Sequence, residues 1–141
     1  MIGRLNHIGI ATPDVEKAAK VWCDLYGATK AHKAFDMVEQ GVRVKFVDLP
    51  NSQIELIEPL GQKSPLIAFL AKSPAGGQHH VCFEVEDIFA ARDDMRAKGA
   101  RILGTGEPRI GAHGTPVIFV HPKDSGGVLV ELMQTSKESA Q

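Results

Sequence analysis

Apolar and polar positions alternate along several short runs of the chain and recur at three- and four-residue spacing in others. Leu5–Ala11 alternates and is rich in Ile, the pattern of a half-buried strand. Thr12 then stands where an N-cap belongs, and Pro13 at the first helical position, where its missing N–H costs nothing. Val15, Ala18, Ala19, Trp22, Leu25 and Tyr26 follow helical spacing, and Gly27 supplies the stop. Residues 29–35 read as a strand, with 42–49 and 52–58 as two more around the turn signal Pro50-Asn51. Ser64-Pro65-Leu66 repeats the cap-then-proline logic and predicts a linker helix over 64–72, broken by Pro74-Ala75-Gly76-Gly77. Beyond it, residues 79–85 read as a strand, and Asp87 caps a helix carrying Ile88, Ala91 and Met95 that is arrested at Gly99. Strands near 101–103, 115–120 and 128–133 complete the pattern.

The second series copies the first. His7 and His80 are 73 positions apart (80 − 7 = 73), as are Asp14 and Asp87 (87 − 14 = 73). Val44-Lys45-Phe46-Val47 matches Val117-Ile118-Phe119-Val120 at the same offset, and Glu55 and Glu131 lie 76 apart (131 − 55 = 76). Several matches at nearly one offset mark an internal repeat of strand, helix and three strands. The expected fold is therefore α+β, with two repeated βαβββ modules forming a metal-binding cleft. One domain over 1–141 would hold modules of about 1–62 and 77–135, joined by the linker helix 64–72. A single module would leave one sheet face bare, so the two are expected to pack around a shared concavity.

Each half ends with a carboxylate set in an apolar strand, Ile54-Glu55-Leu56 and Val130-Glu131-Leu132, and begins with a strand histidine. A buried carboxylate is costly unless it is paired or binds a cation. Taken singly, a strand histidine is more often a hydrogen-bonded half-buried residue, and a strand glutamate more often faces outward. Their recurrence at equivalent positions favours a joint role. His7, Glu55, His80 and Glu131 form a mixed nitrogen and oxygen set suited to a divalent ion. Four such ligands with two octahedral positions left over suit Co, Mn, Ni or Fe better than Zn, which prefers four-coordinate sites.

The remaining histidines are weaker candidates. His79 neighbours His80 on its strand and so faces the other way. His32, beside Lys30 and Lys33, is expected to be solvated. His121 precedes Pro122 as a turn residue or a site-lining donor, and His113 lies in the loop Gly111-Ala112-His113-Gly114, whose glycines permit close backbone approach.

Composition narrows the classes further. The 141 residues carry 16 Lys+Arg against 17 Asp+Glu, with 43% hydrophobic and 23% charged, which is ordinary globular composition. Disorder, collagen and coiled coil are excluded. No basic cluster offers a phosphate footprint, so no nucleic-acid partner is expected. Apolar runs such as 117–120 fall far short of the roughly 20 residues that span a bilayer. Residues 1–5 lead at once into patterned sequence, leaving no room for a cleavable signal, and Cys23 and Cys82 lack paired spacing. Free thiols and a cytoplasmic location are the expectation. There is no Walker lysine, Gly-x-Ser-x-Gly elbow or Cys-x-x-Cys, and Gly104-Thr105-Gly106 lacks the rest of a dinucleotide motif.

Longer stretches carry a resemblance. From Leu5-Asn6-His7-Ile8-Gly9-Ile10-Ala11 to Val128-Leu129-Val130-Glu131-Leu132, the chain resembles the methylmalonyl-CoA epimerase family of the vicinal-oxygen-chelate (glyoxalase/bleomycin-resistance) superfamily. The more specific matches are Lys63-Ser64-Pro65-Leu66, Gly76-Gly77-Gln78-His79-His80-Val81-Cys82-Phe83-Glu84-Val85, Ile110-Gly111-Ala112-His113-Gly114, and Pro116 through Asp124. The resemblance implies paired βαβββ modules, a homodimer and a divalent metal on His7, Glu55, His80 and Glu131, with Gln replacing Glu55 in some members. It also implies interconversion of (2R)- and (2S)-methylmalonyl-CoA in propionyl-CoA metabolism, with Glu131 doubling as a catalytic base.

Certain members carry a glutamate acid/base where this chain has Val44, which cannot carry a proton. For the CoA tail, Lys63, Lys72, Arg109 and Lys123 are the available cations, although loop lysines are usually only solvated. Other readings keep the fold and change the chemistry, to a lactoylglutathione lyase or a dioxygenase. A dioxygenase would normally use three ligands, so Glu55 counts against it. A further reading is a metal-free ligand-binding module; such modules commonly lack the ligand set that this chain retains.

Overall fold

The computed structural model describes residues 2–135; the first residue and 136–141 of the expected 1–141 span lie outside the described residues. The chain forms two compact units, one of His7–His79 and one of residues 2–6 with 80–135.

In the first unit, β1 (Leu5–Ala11, from His7 onward) runs parallel to β5 (Gln53–Pro59). Antiparallel to β5 lies β4 (Val42–Asp48), on which β2 (Lys30–Ala31) and β3 (Phe35–Met37) pair. Alternation decides what each strand offers to α1 (Val15–Tyr26). Ile8, Ile10, Val47, Ile54 and Leu56 turn to the helix and enclose Val15 and Ala19 in one apolar cluster. The buried Val47, Ile54 and Leu56 each contribute about 1.5–3 kcal/mol on leaving water. His7, Phe46 and Glu55 occupy the other face. Lys45 follows the helix-facing set, as its place in the alternation requires, and reaches Glu16 of α1 at 3.2 Å.

The second unit repeats the scheme. From His80 onward, β6 (Gly77–Val85) runs parallel to β9 (Val130–Gln134). Antiparallel to β9 is β8 (Pro116–Val120), and β7 (Arg109–Ile110) pairs with β8. Val85, Ile118, Val120 and Leu132 pack with Ile88 of α3 (Ile88–Ala97). Ile88, Val120 and Leu132 stand at the repeat offsets from Val15, Val47 and Leu56, whereas Ile118 and Val85 fall at the positions of Lys45 and Thr12.

The helix starts show the same duplication. Asp14 accepts hydrogen bonds from the amides of Glu16 (3.0 Å) and Lys17 (3.1 Å), and Asp87 from those of Phe89 (2.9 Å) and Ala90 (3.1 Å). The cap of α1 is thus Asp14 rather than Thr12. An extended residue at φ −154° aims a carboxylate at two orphan amides, whereas the Thr12 hydroxyl accepts from the Asp14 amide at 3.3 Å and fixes the cap itself. Gly27 ends α1 at φ 69° in the left-handed region, as its type predicts.

Other boundaries shift for local reasons. The linker helix α2 (Leu66–Lys72) begins later than expected, after Pro65, with the Ser64 hydroxyl accepting from the Leu66 amide at 3.3 Å. The strand expected at 101–103 is reduced to a bridge from Ile102 to Val120, and glycines 104 and 106, both at positive φ, turn the chain away. The single strand expected over 29–35 is two short pieces, β2 and β3. Among the described residues no helix is long and apolar enough to cross a membrane.

Candidate functional site

On the face of the first unit away from α1, β1 and β5 bring two ionisable side chains together. His7 Nε2 lies 3.2 Å from Glu55 Oε2, with His7 at 1% and Glu55 at 7% exposure. Phe46 on β4 presents its ring to the imidazole at a centroid separation of 6.0 Å and an interplanar angle of 73°. The second unit holds the same arrangement: His80 Nε2 is 3.4 Å from Glu131 Oε1, the two are 4% and 6% exposed, and Phe119 meets the His80 ring at 5.8 Å and 82°. Each unit therefore carries one buried imidazole–carboxylate pair with one aromatic edge contact holding the imidazole in place. The two phenylalanines obey the repeat offset, which was the available signal for their role.

A nitrogen and a carboxylate oxygen this close, buried on an apolar sheet face, offer adjacent donors of intermediate hardness. In the second unit the backbone is also drawn toward the carboxylate. A Cβ on Gly111 would stand 3.7 Å from Glu131 Oε2 and only 2.8 Å from Val117 Cγ1. Only glycine lets the 110–114 turn, closed by the Gly111 amide donating to Thr115 O at 2.9 Å, lie so near the acid. His113 sits exposed on that turn.

The other histidines separate clearly. His79 points away from the His80 face, and its ring meets Phe69 of α2 at 5.4 Å. His121 is a turn residue whose Nδ1 accepts from the Lys123 amide at 3.1 Å, capping the short 3-10 helix Pro122–Asp124. His32 departs from the expectation of full solvation: it is half-buried, with Nε2 2.9 Å from Asp48 Oδ2. The partner strand supplied an acid that its flanking lysines gave no hint of.

The Asp48 carboxyl lies below its usual range, first because Gln53 Nε2 donates to it at 2.8 Å and then because of His32. A depressed folded-state pKa stabilises the fold above the unfolded carboxyl value of about 3.9, and that contribution is lost as pH falls through the folded value. The Asp48→Asn variant is expected to lose up to about 1 kcal/mol at pH 7 and almost nothing at pH 2, since the pair is partly exposed. Urea midpoints at the two pH values check this; an equal loss at both would contradict it.

At position 44, where a glutamate acid/base would stand in some relatives, Val44 is buried between Phe35 of β3 and Ile57 of β5 in the strand register. Lys63, Lys72, Arg109 and Lys123 are all exposed.

Comparison with known proteins gives the family. A family model described as the Glyoxalase/Bleomycin resistance protein/Dioxygenase superfamily matches residues 6–119. An ethylmalonyl-CoA/methylmalonyl-CoA epimerase of Cereibacter sphaeroides is 58% identical, covering 95% of this chain and 99% of that protein. Among solved structures, methylmalonyl-CoA epimerase from Mycobacterium tuberculosis superposes with a TM-score of 0.88 at 30% identity, covering 99% of this chain and 92% of that one. A methylmalonyl-CoA epimerase in complex with methylmalonyl-CoA and NH4+ gives a TM-score of 0.86 at 35% identity, covering 97% of each chain. The two βαβββ units, their matched His–Glu pairs and these likenesses together establish that the chain belongs to the methylmalonyl-CoA epimerase family of the glyoxalase/bleomycin-resistance superfamily.

Proposed function

We propose that the protein is an isomerase that interconverts (2R)- and (2S)-methylmalonyl-CoA, using a divalent metal held by His7, Glu55, His80 and Glu131. The carrying observation is the buried imidazole–carboxylate pair found once in each unit, at 3.2 and 3.4 Å. A single pair of this kind is an ordinary buried contact. Two at repeat-equivalent positions, in a family of epimerases, supply four donors whose nitrogen and oxygen character fits Co, Mn, Ni or a similar ion.

The chemistry follows from the substrate. Its C2–H lies between a thioester carbonyl and a carboxylate, so loss of the proton leaves an enolate with charge gathered on the thioester oxygen. When bound, a divalent ion supplies Lewis-acid stabilisation of that charge. The remaining work belongs to the chain. Glu131, buried beside His80, serves as the acid/base on one face of C2. Burial of both carboxylates keeps water from competing for the enolate and strengthens the fixed charges around it. Phe46 and Phe119 fix the imidazole planes, and Gly111 lets the 110–114 turn close on the acid. Inversion requires reprotonation on the opposite face, and Val44 takes no part in it.

The same reading carries the finer expectations: a homodimer in the cytoplasm, acting on a CoA thioester within propionyl-CoA metabolism. The test is deuterium incorporation at C2 of methylmalonyl-CoA in D2O. Metal-loaded protein is expected to exchange C2–H and to lose that exchange on chelation. Exchange that is absent, or indifferent to chelator, would reject the metal-dependent epimerase.

A further inference from the structure

The repeat breaks at one position on the ligand-bearing face. In the first unit Gly9 stands opposite Glu55 in the β1–β5 register; in the second, Cys82 stands opposite Glu131 in the β6–β9 register. The two are separated by the repeat offset (82 − 9 = 73). Two positions beyond His80 on the same strand, Cys82 shares its face. Its Sγ lies within 4.8 Å of a Glu131 carboxylate oxygen, and the residue is 0% exposed. Val117, Met133 and Phe119 enclose it. One unit thus presents nitrogen and oxygen donors, whereas the other presents nitrogen, oxygen and sulfur.

We propose that Cys82 is an additional donor beside Glu131, recruited as a thiolate by thiophilic divalent cations such as Co2+ and Cd2+. The proposal rests on the four-ligand reading above and extends it from which residues hold the ion to which ions the site prefers. The S–H bond breaks as a sulfur–metal bond forms, the proton passes to solvent, and no redox change is involved. Sulfur shifts a nitrogen/oxygen set toward thiophilic ions and away from Mn2+. A cysteine serving only as a small apolar filler would leave that preference untouched when changed to alanine.

The experiment titrates metal-free protein with Co2+ and follows two spectral regions. Cys23→Ser is the background, because it removes the other thiol, which lies half-buried on α1. One equivalent of Co2+ is expected to produce visible ligand-field bands together with a near-ultraviolet thiolate-to-cobalt charge-transfer band. Adding Cys82→Ala should abolish the charge-transfer band, keep the ligand-field bands and weaken Cd2+ relative to Mn2+ by about 10-fold or more in competition. Ligand-field bands without charge transfer in the Cys23→Ser protein would overturn the proposal while leaving the four-ligand site standing. That measurement needs no change at Cys82 and so does not depend on how its variants fold. If Co2+ gives neither set of bands, the four-ligand reading falls and this proposal falls with it.

Discussion

Replacing His80 by alanine is expected to weaken divalent-metal binding at least about 100-fold, because removing even an outer-shell partner of a metal ligand commonly costs 10–100-fold. The same loss is expected for His7→Ala. Both imidazoles are almost wholly buried on the sheet face away from the helix, so neither replacement disturbs the apolar clusters under α1 and α3. The control is His79→Ala, one position away, whose ring packs against Phe69 instead of Glu131. Metal content after gel filtration, with circular dichroism to verify folding, decides the matter. Near-full metal content in His80→Ala, or an emptied site in His79→Ala, would mean that the wrong face of β6 had been assigned to the metal.

The second large effect concerns Glu131. Glu131→Gln keeps an oxygen donor beside His80 and removes the proton-accepting charge. A positioned acid/base contributes about 10²–10⁴ in rate, so C2 exchange should fall by that factor while much of the metal remains bound. Glu55→Gln makes the identical chemical change at the equivalent position of the other repeat and is expected to preserve far more activity. Rates normalised to bound metal, measured side by side, separate a base from a mere ligand. Equal losses in the two variants would take the proton-transfer role from Glu131.

These positions differ in how they could be found. The Asp87 cap, the Gly27 stop and the alternation of β4 are local, written in residues within a few positions of one another. The same holds for the faces of His79 and His80, since strand alternation needs no knowledge of the partner strand. Repetition at an offset of 73 then added long-range information that local pattern lacks, and it brought the two His–Glu pairs into view. Where local signals compete, the local sequence does not choose between them. Thr12 and Asp14 are both good caps, and the choice fell to the residue whose side chain met two amides instead of one. Residues 101–103 have strand chemistry, but only Ile102 forms a bridge before the glycines that follow. The strand Arg109–Ile110 gave no periodic signal because it is two residues long and meets Pro116, which has no amide to extend the ladder.

By itself the amino-acid order determined the duplicated βαβββ plan, the residue types of the proposed site, and which side of each strand they occupy. Those properties follow from periodicity, capping chemistry and an internal copy. Only the tertiary structure decided that His32 meets Asp48, that Gly111 brings a turn against Glu131, and that Cys82 rather than another residue stands opposite that acid. Each of these depends on the register between strands far apart in sequence. Register is set by how whole apolar faces and hydrogen-bond ladders fit together, and a shift of one residue would send every side chain involved to the opposite side of the sheet.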